Sequence, residues 1–547
     1  MLVYQHAGFR YAAQAGGEML AAVTDMDLAV PQGNFLLLLG ESGSGKSTLV
    51  RMANGLIPHF HEGEFTGMVR VCGDDTRAHP VRALSRTVGV VFQNHEAQVF
   101  NATVERELAF GPRQQGLARE EIAVRIHAAA EQAGITHLLA RPTTHLSGGE
   151  RARVAIASVV TMQPPLLILD EPSAALDPMA AEALWALLAT LHEGGTTIAV
   201  AEHRPGHLWA SALSVAGMGD GRLAVYGTPE AVLRSATQAS ALPLPAVARL
   251  CMAAGLPERP RTIAEATDIL RARRLTLAPQ PAEIMVPGEP LLVAEAVRAE
   301  RDGRVVLHGI DVRLHRGETI ALVGTNGAGK TTLLRLLAGL ARPDGGRITG
   351  GDGMPIPRNR IGMLLQNADD ALFCRTVRDE VAYSAHALKR YDTAWMAMLI
   401  ARFALEPLLG RPPLGLSDGE KRRVALAAML AHRPDIVLLD EPTAGQDRQR
   451  RYALATVLAT LRAEGIGVIL ATHDMEFAAA HCQRWLVLSD GALIADAPPA
   501  TVMSDPPLLA RAHLLPTPFA SLATALGIPY PGEDALLVPD RVPRITR

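Results

Sequence analysis

The sequence contains no run of about 20 apolar residues, the length that a helix needs to cross a bilayer. Its N-terminus also lacks the charged-then-apolar pattern of a secretion signal, so neither a membrane span nor export is expected. The net charge of −3 gives no indication of nucleic-acid binding. Cysteine is scarce, and Cys72, Cys251, Cys374 and Cys482 show no CxxC spacing. This pattern argues against a disulfide framework or a zinc site and fits a reducing cytosol.

Lysine is almost absent. Of the 53 lysine and arginine residues, only four are lysine, namely Lys46, Lys330, Lys389 and Lys421. Where a basic side chain only solvates the surface, this sequence uses arginine, so the remaining lysines suggest a chemical role. Lys46 and Lys330 have one, because both lie in the same glycine-rich motif.

Two motifs of the form G-x-x-x-x-G-K-[ST] occur, GESGSGKST at 40–48 and GTNGAGKTT at 324–332. Each follows a strand-like apolar run and precedes a helical pattern, as a phosphate-binding loop requires. The glycines let backbone N–H groups turn towards the phosphates, and the helix N-terminus adds its dipole. We expect the compact lysine ammonium to reach the β- and γ-phosphates of ATP. The loop residues expected to bind ATP are Gly40, Glu41, Ser42, Gly43, Ser44, Gly45, Lys46, Ser47, Thr48, Gly324, Thr325, Asn326, Gly327, Ala328, Gly329, Lys330, Thr331 and Thr332.

A carboxylate pair ends a second apolar run in each half, in LLILDEP at 166–172 and IVLLDEP at 436–442. In a doubly wound sheet, ligands bind beyond the carboxyl ends of the parallel strands. Asp170 and Asp440 are therefore expected to hold Mg²⁺ together with the hydroxyls of Ser47 and Thr331. Glu171 and Glu441 are expected to orient the attacking water.

A third apolar run in each half ends on a histidine, His203 or His473. A single histidine at such a position more often packs in the core or faces solvent and has no functional role. Here both follow their glutamates by 32 residues, and this repeated spacing favours a contact with the γ-phosphate.

The repeat covers more than these motifs. LSGGERARVAIA at 146–157 returns as LSDGEKRRVALA at 416–427, and the segment 90–111 parallels 363–384. The tails at 242–257 and 514–529 are also similar. The sequence therefore predicts two α/β nucleotide-binding domains, at 1–234 and 290–504. A helical extension and proline-rich linker is expected at 235–289, and a C-terminal extension at 505–547.

With these motifs the chain resembles the ATP-binding cassette (ABC) family over nearly its whole length. The signature loops resemble LSGGE at 146–150 and LSDGE at 416–420, and the D-loops resemble SAALD at 173–177 and TAGQD at 443–447. The resemblance implies two ABC-type P-loop NTPase domains. Each would have a mixed or parallel sheet core, a helical subdomain and a short helical C-terminal extension.

The family pattern also implies further site residues. The loop glutamines Gln93 and Gln366 match residues that contact the metal and the reacting water. In the family, the signature serine and its glycines close over the γ-phosphate bound by the opposite domain, so a chain with two copies forms its own dimer. Leu146–Glu150 should then face the nucleotide of Lys330, and Leu416–Glu420 that of Lys46. The signature residues expected to contact ATP are Ser147, Gly148, Gly149, Ser417 and Gly419.

The expected site that contains Lys46 is called the first site, and the one that contains Lys330 the second site. Each departs from the family pattern in one respect. Asp418 brings a carboxylate near the γ-phosphate, unless its side chain points to solvent. Tyr11 fits the aromatic that stacks on adenine, with an ordinary edge-strand aromatic as the alternative. The second half has no Phe, Tyr or Trp between 287 and 317, so adenine there is expected near Val297 or Arg298. The first site should bind ATP more tightly and hydrolyse it more slowly than the second.

Within the family, the segments QNHEAQVF, NGLIPHFHEGEFTG and TAGQD resemble those of the ATPases of energy-coupling-factor (ECF) transporters. These transporters import vitamins or transition-metal ions. This resemblance implies a peripheral protein at the cytoplasmic face of the membrane. Its partners would be an integral membrane coupling subunit and a membrane substrate-capture subunit, without nucleic acid. They would dock between the loop glutamine and the signature of each half. The alternatives are a conventional ABC transporter ATPase and a soluble tandem ATPase acting on ribosomes or DNA.

Overall fold

The structure is a computed structural model that describes residues 1–12, 19–174, 176–235, 242–278, 288–301, 303–365, 368–444, 446 and 448–539. The chain divides into two compact units, Met1–Arg273 and Arg274–Arg547. Among the described residues, no helix combines the length and the apolarity that a membrane crossing requires.

Unit 1 is built around a six-stranded sheet with the order β10-β9-β3-β8-β7-β6. Its five strands from β9 to β6 are parallel, and β10 is antiparallel to β9. The central strand β3 carries the run FLLLLG, and all six of its residues are buried. A continuous apolar run is typical of a parallel strand that is covered on both faces.

The strands of unit 1 are β1 Leu2–Tyr11, β2 Leu20–Val30, β3 Phe35–Gly40, β4 Gly63–Val71, β5 Asp74–Asp75, β6 Val88–Val91, β7 Leu166–Asp170, β8 Thr197–Glu202, β9 Ser214–Gly219 and β10 Arg222–Gly227. Its α-helices are α1 Lys46–Ala53, α2 Leu56–His59, α3 Val81–Leu84, α4 His95–Gln98, α5 Val104–Gln114, α6 Arg119–Gln132, α7 Gly148–Val160, α8 Pro178–Glu193, α9 Leu208–Ser211, α10 Pro229–Arg234, α11 Ala246–Ala253 and α12 Ile263–Arg273.

A second, antiparallel sheet of unit 1 has the order β2-β1-β4-β5. One face of it packs with α1 and the central sheet into a common apolar core. A separate core joins the opposite face of the central sheet to α5, α6 and α7. The phosphate-loop helix and the signature helix are thereby fixed to opposite faces of one sheet.

Unit 2 repeats this plan. Its six-stranded sheet has the order β16-β17-β18-β14-β19-β20, with β20 again antiparallel, and its second sheet has the order β13-β12-β15. The α/β fold class expected from the sequence is confirmed. A further two-stranded sheet pairs β11 with β21, so that the strand directly after α12 binds the C-terminal extension.

The strands of unit 2 are β11 Leu275–Ala278, β12 Pro290–Arg301, β13 Arg304–His315, β14 Thr319–Val323, β15 Gly345–Gly350, β16 Ile361–Leu364, β17 Ile436–Asp440, β18 Gly467–Ala471, β19 Arg484–Ser489, β20 Ala492–Ala497 and β21 Leu536–Pro539. Its α-helices are α13 Lys330–Leu337, α14 Val377–Ala387, α15 Thr393–Arg402, α16 Asp418–Leu430, α17 Arg448–Ala463, α18 Met475–His481, α19 Pro499–Met503, α20 Pro506–Arg511 and α21 Pro518–Leu526.

Candidate functional site

The predicted site residues meet where neighbouring parallel strands end. In unit 1, Leu39 of β3 pairs with Glu202 of β8, and Asp170 of β7 pairs with Ala201. The carboxyl ends of β3, β7 and β8 therefore lie at one edge of the sheet, where ligands bind in doubly wound folds. Unit 2 has the same register, with Leu322 and Asp440 both opposite Ala471.

Both phosphate loops have the backbone that their glycines allow. Gly45 and Gly329, directly before α1 and α13, have φ values of 98° and 100°, in the left-handed region that favours glycine. Lys46 is buried, and its Nζ donates to the carbonyl oxygens of Gly40 at 2.7 Å and Glu41 at 3.0 Å. Lys330 makes the matching bonds at the same distances. Each ammonium is thereby held within its loop, where the phosphates are expected.

The aspartates at the strand ends fit a magnesium site. Oδ1 of Asp170 and Oδ1 of Asp440 are buried and have no hydrogen-bond partner among the described residues. Burial raises the pKa of each carboxyl, and the hydroxyl of Ser47 or Thr331 opposes this by hydrogen bonding to it. Carboxylate and hydroxyl oxygens are ligands that Mg²⁺ accepts, and a cation would satisfy the unpartnered oxygens. The residues present therefore fit Mg²⁺.

The two glutamates share an unusual backbone. Glu171 and Glu441 have φ values of 47° and 48°. Their amides donate at 2.9 Å to the carbonyl oxygens of Ala201 and Ala471 in the neighbouring strand. A non-glycine residue with positive φ is uncommon and often marks a functional site. This turn places both side chains beside the lysine and the histidine of the same unit.

Several groups surround the Glu171 carboxylate. Its Oε1 lies 3.6 Å from Nζ of Lys46, and its Oε2 accepts from Nε2 of Gln93 at 3.3 Å and lies 3.4 Å from Nδ1 of His203. Burial alone would raise its pKa, but the interaction with His203 and the charges of His203 and Lys46 outweigh this and lower it. The carboxylate is therefore ionised near neutral pH and able to accept a hydrogen bond from water.

Glu441 has a similar environment with one tighter contact. Nδ1 of His473 lies 2.9 Å from its Oε2, and this interaction again outweighs burial and lowers the pKa of the carboxyl. The second loop glutamine, Gln366, lies outside the described residues. Its expected contact with the metal and the water stays a prediction.

The signature loops begin helices α7 and α16. Oγ of Ser147 accepts from the amide of Glu150 at 3.3 Å, and the Glu150 carboxylate accepts from the Ser147 amide at 2.8 Å, which is a capping box. In the second copy, the amide and hydroxyl of Ser417 both donate to Oε2 of Glu420. Glu420 thus holds the second loop as Glu150 holds the first.

The surroundings of the two signature glycines differ. A Cβ on Gly149 would lie 2.7 Å from Cβ of Ala180, whereas a Cβ on Gly419 would lie 2.5 Å from Cζ of Arg450. The second signature therefore has a guanidinium against its helix start where the first has a methyl group. The side chain of Asp418 lies outside the described residues.

Tyr11 is tied to the phosphate-loop helix. Its hydroxyl lies 3.3 Å from Oγ1 of Thr48 and accepts from Nη1 of Arg51 at 3.1 Å. In unit 2, counting from the shared left-handed positions His6 and Ala296, the corresponding residue is Arg301. The expected position of adenine, near Val297 or Arg298, stays a prediction, and Val297 itself is fully buried in the core. The adjacent Arg298 is exposed.

Sequence reasoning missed two features. One is Glu202, which directly precedes His203 and has Thr472 as its counterpart. The other is an exposed aromatic pair, Phe100 and Phe110, which recurs as Phe373 and Tyr383. A comparison of the two halves position by position would have shown that Glu202 differs from Thr472 and that the aromatic positions repeat, although not what these side chains contact.

Comparison with known proteins agrees with this geometry. Residues 23–174 and 307–444 match the model of the ABC transporter family. The chain belongs to this family. A proposed ABC transporter ATP-binding protein from Methanosarcina acetivorans is 35% identical over 93% of this chain and 89% of its own length. Another, from Streptomyces avermitilis, is 38% identical over 89% of this chain and 93% of its own length.

Among solved structures, the RNase-L Inhibitor matches with a TM-score of 0.59 and 21% identity over 92% of both chains. At that identity the match shows the fold alone. Together with the family match, it confirms the predicted pair of ABC-type ATPase domains in one chain. Members of the family hydrolyse ATP.

The position of Tyr11 leads to a prediction about ATP affinity. If its ring stacks on adenine, Tyr11→Ala should weaken ATP binding at the first site by about 1–3 kcal/mol, by analogy with bases stacked on aromatic side chains. Tyr11→Phe keeps the ring and loses only the hydroxyl contacts, so it serves as the matched control. Titration of each variant with a fluorescent ATP analogue, in a Lys330→Ala background, measures the first site separately. Equal losses in both variants would assign Tyr11 to holding α1 and exclude stacking.

Proposed function

We propose that this protein is the ATP-hydrolysing, energy-coupling subunit of a membrane transporter, with two catalytic centres in one chain. The observation that carries the proposal is the duplicated arrangement of a buried loop lysine, an unpartnered aspartate oxygen and a glutamate–histidine pair. A catalytically idle copy would be expected to lose part of this set. The family arrangement, in which each signature loop completes the site of the other half, is part of the proposal.

The proposed reaction is attack of water on the γ-phosphorus, which breaks its bond to the β–γ bridging oxygen and releases ADP and inorganic phosphate. Lys46 and Lys330 stabilise the charge on the phosphate oxygens. Glu171 and Glu441 accept a hydrogen bond from the water and align its oxygen with the phosphorus. His203 and His473 keep their glutamate in place and lie near the transferred phosphoryl group. When bound, Mg²⁺ at Asp170 and Ser47, or at Asp440 and Thr331, would neutralise phosphate charge.

The direct test replaces both glutamates. Glu171→Gln with Glu441→Gln should lower ATP turnover by about 10²–10⁴-fold, since a positioned base or electrostatic group typically contributes this much. ATP should still bind, because the loop lysines are unchanged. Phosphate release and nucleotide binding are measured on the same preparation. Turnover at the wild-type rate in the double variant would contradict the assigned role.

We propose further that the transporter is of the ECF type, importing a vitamin or a transition-metal ion through separate membrane subunits. Support comes from the phrases QNHEAQVF, NGLIPHFHEGEFTG and TAGQD and from the repeated C-terminal extensions. The chain would then act as a peripheral protein at the cytoplasmic face of the membrane. Its expected partners are an integral coupling subunit and a substrate-capture subunit.

The exposed aromatic pairs support a docking role. The rings of Phe100 and Phe110 pack edge to face with their centroids 5.0 Å apart. Those of Phe373 and Tyr383 pack in the same way, with their centroids 4.8 Å apart. All four side chains are more than 40% exposed. Such residues are the type that anchors protein interfaces. They lie between the loop glutamine and the signature of each half, where docking was expected.

A buried glutamate fixes each pair in position. Glu107 accepts from the amides of Phe100 and Asn101, at 3.1 and 2.7 Å, and Glu380 accepts from those of Phe373 and Cys374. A rigid, exposed aromatic pair loses little conformational entropy on binding, which favours affinity.

The first pair borders a groove of about 400 Å³ that is also lined by Arg82 and Arg86. The occupant proposed for this groove is a cytoplasmic segment of the membrane coupling subunit. The apolar rings and the two arginines suit a segment with an apolar side chain and a nearby acidic group.

The docking proposal is tested by co-purification from membranes that contain the partner subunits. Phe100→Ala with Phe110→Ala, and Phe373→Ala with Tyr383→Ala, should each lower recovery by about tenfold or more, as for truncated interface anchors. ATP turnover of the isolated chain should persist. Tyr452→Ala, at an aromatic that is 76% exposed on α17, is the control. Unchanged membrane recovery would contradict the docking surface, and capture on ribosomes or DNA-repair proteins would favour the soluble alternative.

A further inference from the structure

The residue before the site histidine differs between the two units. In unit 1 it is Glu202, the last residue of β8, whose side chain is fully buried. A buried carboxylate is costly unless hydrogen bonds compensate it. Burial accordingly raises the pKa of Glu202, and the charge of His203 opposes this. In unit 2 the corresponding residue is Thr472, which carries no charge.

Glu202 joins the start of the D-loop to the histidine turn. Its Oε1 accepts from Oγ of Ser173 at 2.6 Å and from the Ser173 amide at 3.2 Å. Its Oε2 accepts from the amides of His203 at 3.2 Å and Arg204 at 3.5 Å. One carboxylate thus binds the backbone on both sides of the catalytic edge.

Unit 2 makes the same link without a charge. Oγ1 of Thr472 lies 3.0 Å from Oγ1 of Thr443, and it accepts from the Asp474 amide at 3.0 Å. The His473 amide donates instead to Oε2 of Glu441 at 3.3 Å. The amide of the site histidine therefore donates to the catalytic glutamate in unit 2, whereas in unit 1 it donates to Glu202.

The distance from the histidine ring to the catalytic glutamate also differs between the units. Nδ1 of His473 lies 2.9 Å from Oε2 of Glu441, which is a good hydrogen-bond distance, and the matching distance from His203 to Glu171 is 3.4 Å. Nδ1 of His203 is buried without a hydrogen bond among the described residues. It also lies 4.0 Å from Oε2 of Glu202.

We propose that Glu202 is a positioning residue that draws the His203 turn away from Glu171 and makes the first catalytic centre the slower of the two. Glu202 touches neither ATP nor the reacting water in this account and acts through His203. The proposal rests on the catalytic roles proposed above for Glu171 and His203. It gives the expected inequality of the two sites a cause within unit 1, separate from Asp418.

The test exchanges the two residues in the full-length protein. In a single-turnover experiment on protein with ATP loaded at both sites and excess nucleotide removed, the wild type should hydrolyse its bound ATP in two phases. Glu202→Thr should speed the slow phase and bring it closer to the fast one, and Thr472→Glu should slow the fast phase. In the steady state, Glu202→Thr should raise kcat by up to about twofold, the limit for making one of two centres match the other, with KM unchanged.

Ser173→Thr with Glu202→Thr recreates the hydroxyl pair of unit 2. It replaces the single variant if thermal melting shows that Glu202→Thr alone is poorly folded. A merely structural Glu202 would change the melting temperature and leave the two rate constants as they are.

Several results would overturn the proposal. They are a single phase in the wild type, phases that Glu202→Thr leaves unchanged, and a slower reaction in Glu202→Thr. Failure of the proposed ATPase function would look different. In that case the double variant of Glu171→Gln and Glu441→Gln would hydrolyse ATP at the wild-type rate.

Discussion

One backbone hydrogen bond in each unit positions the glutamate that we propose to orient the attacking water. The amide of Glu171 donates to the carbonyl oxygen of Ala201, and that of Glu441 donates to Ala471. This bond keeps the chain in register for one residue beyond the strand and holds the glutamate at positive φ. A left-handed non-glycine residue costs about 1–3 kcal/mol, so the surrounding sheet must compensate it. The strain is maintained where the side chain has to turn back towards the phosphate loop.

The repeat allows each unit to serve as a control for the other. The lysine bonds to the loop carbonyls have the same lengths in both units, so this part of the machinery has not diverged. The differences lie around the lysines. Unit 1 has Glu202 and Ala180 at the positions where unit 2 has Thr472 and Arg450.

Much of the architecture could be predicted from the sequence because it depends on local patterns. The run FLLLLG followed by GESGSGKST determines a buried strand, a glycine-rich turn and a helix start, all within 20 residues of one another. The position of the adjacent residues Asp170 and Glu171 at the ligand-binding edge could also be predicted, because they follow a strand-like run and the carboxyl ends of parallel strands share one edge.

Other features could not be predicted, because they depend on contacts between segments that are distant in the sequence. No pattern around Glu202 indicates that it binds Ser173, since the register of β7 and β8 has to be known first. The burial of Val297 has a similar origin, because a bulge in β12 decides which side chains face the core. The exposure of Phe100 and Phe110 depends on the loop that Glu107 holds.

The central claim is that one chain contains two complete ATP sites. Calorimetric titration with an ATP analogue that has a non-hydrolysable β–γ bridge, in the presence of Mg²⁺, tests it most directly. Two complete sites should bind two analogue molecules per chain, and Lys46→Ala and Lys330→Ala should each bind one. A stoichiometry of one for the wild-type chain would contradict it.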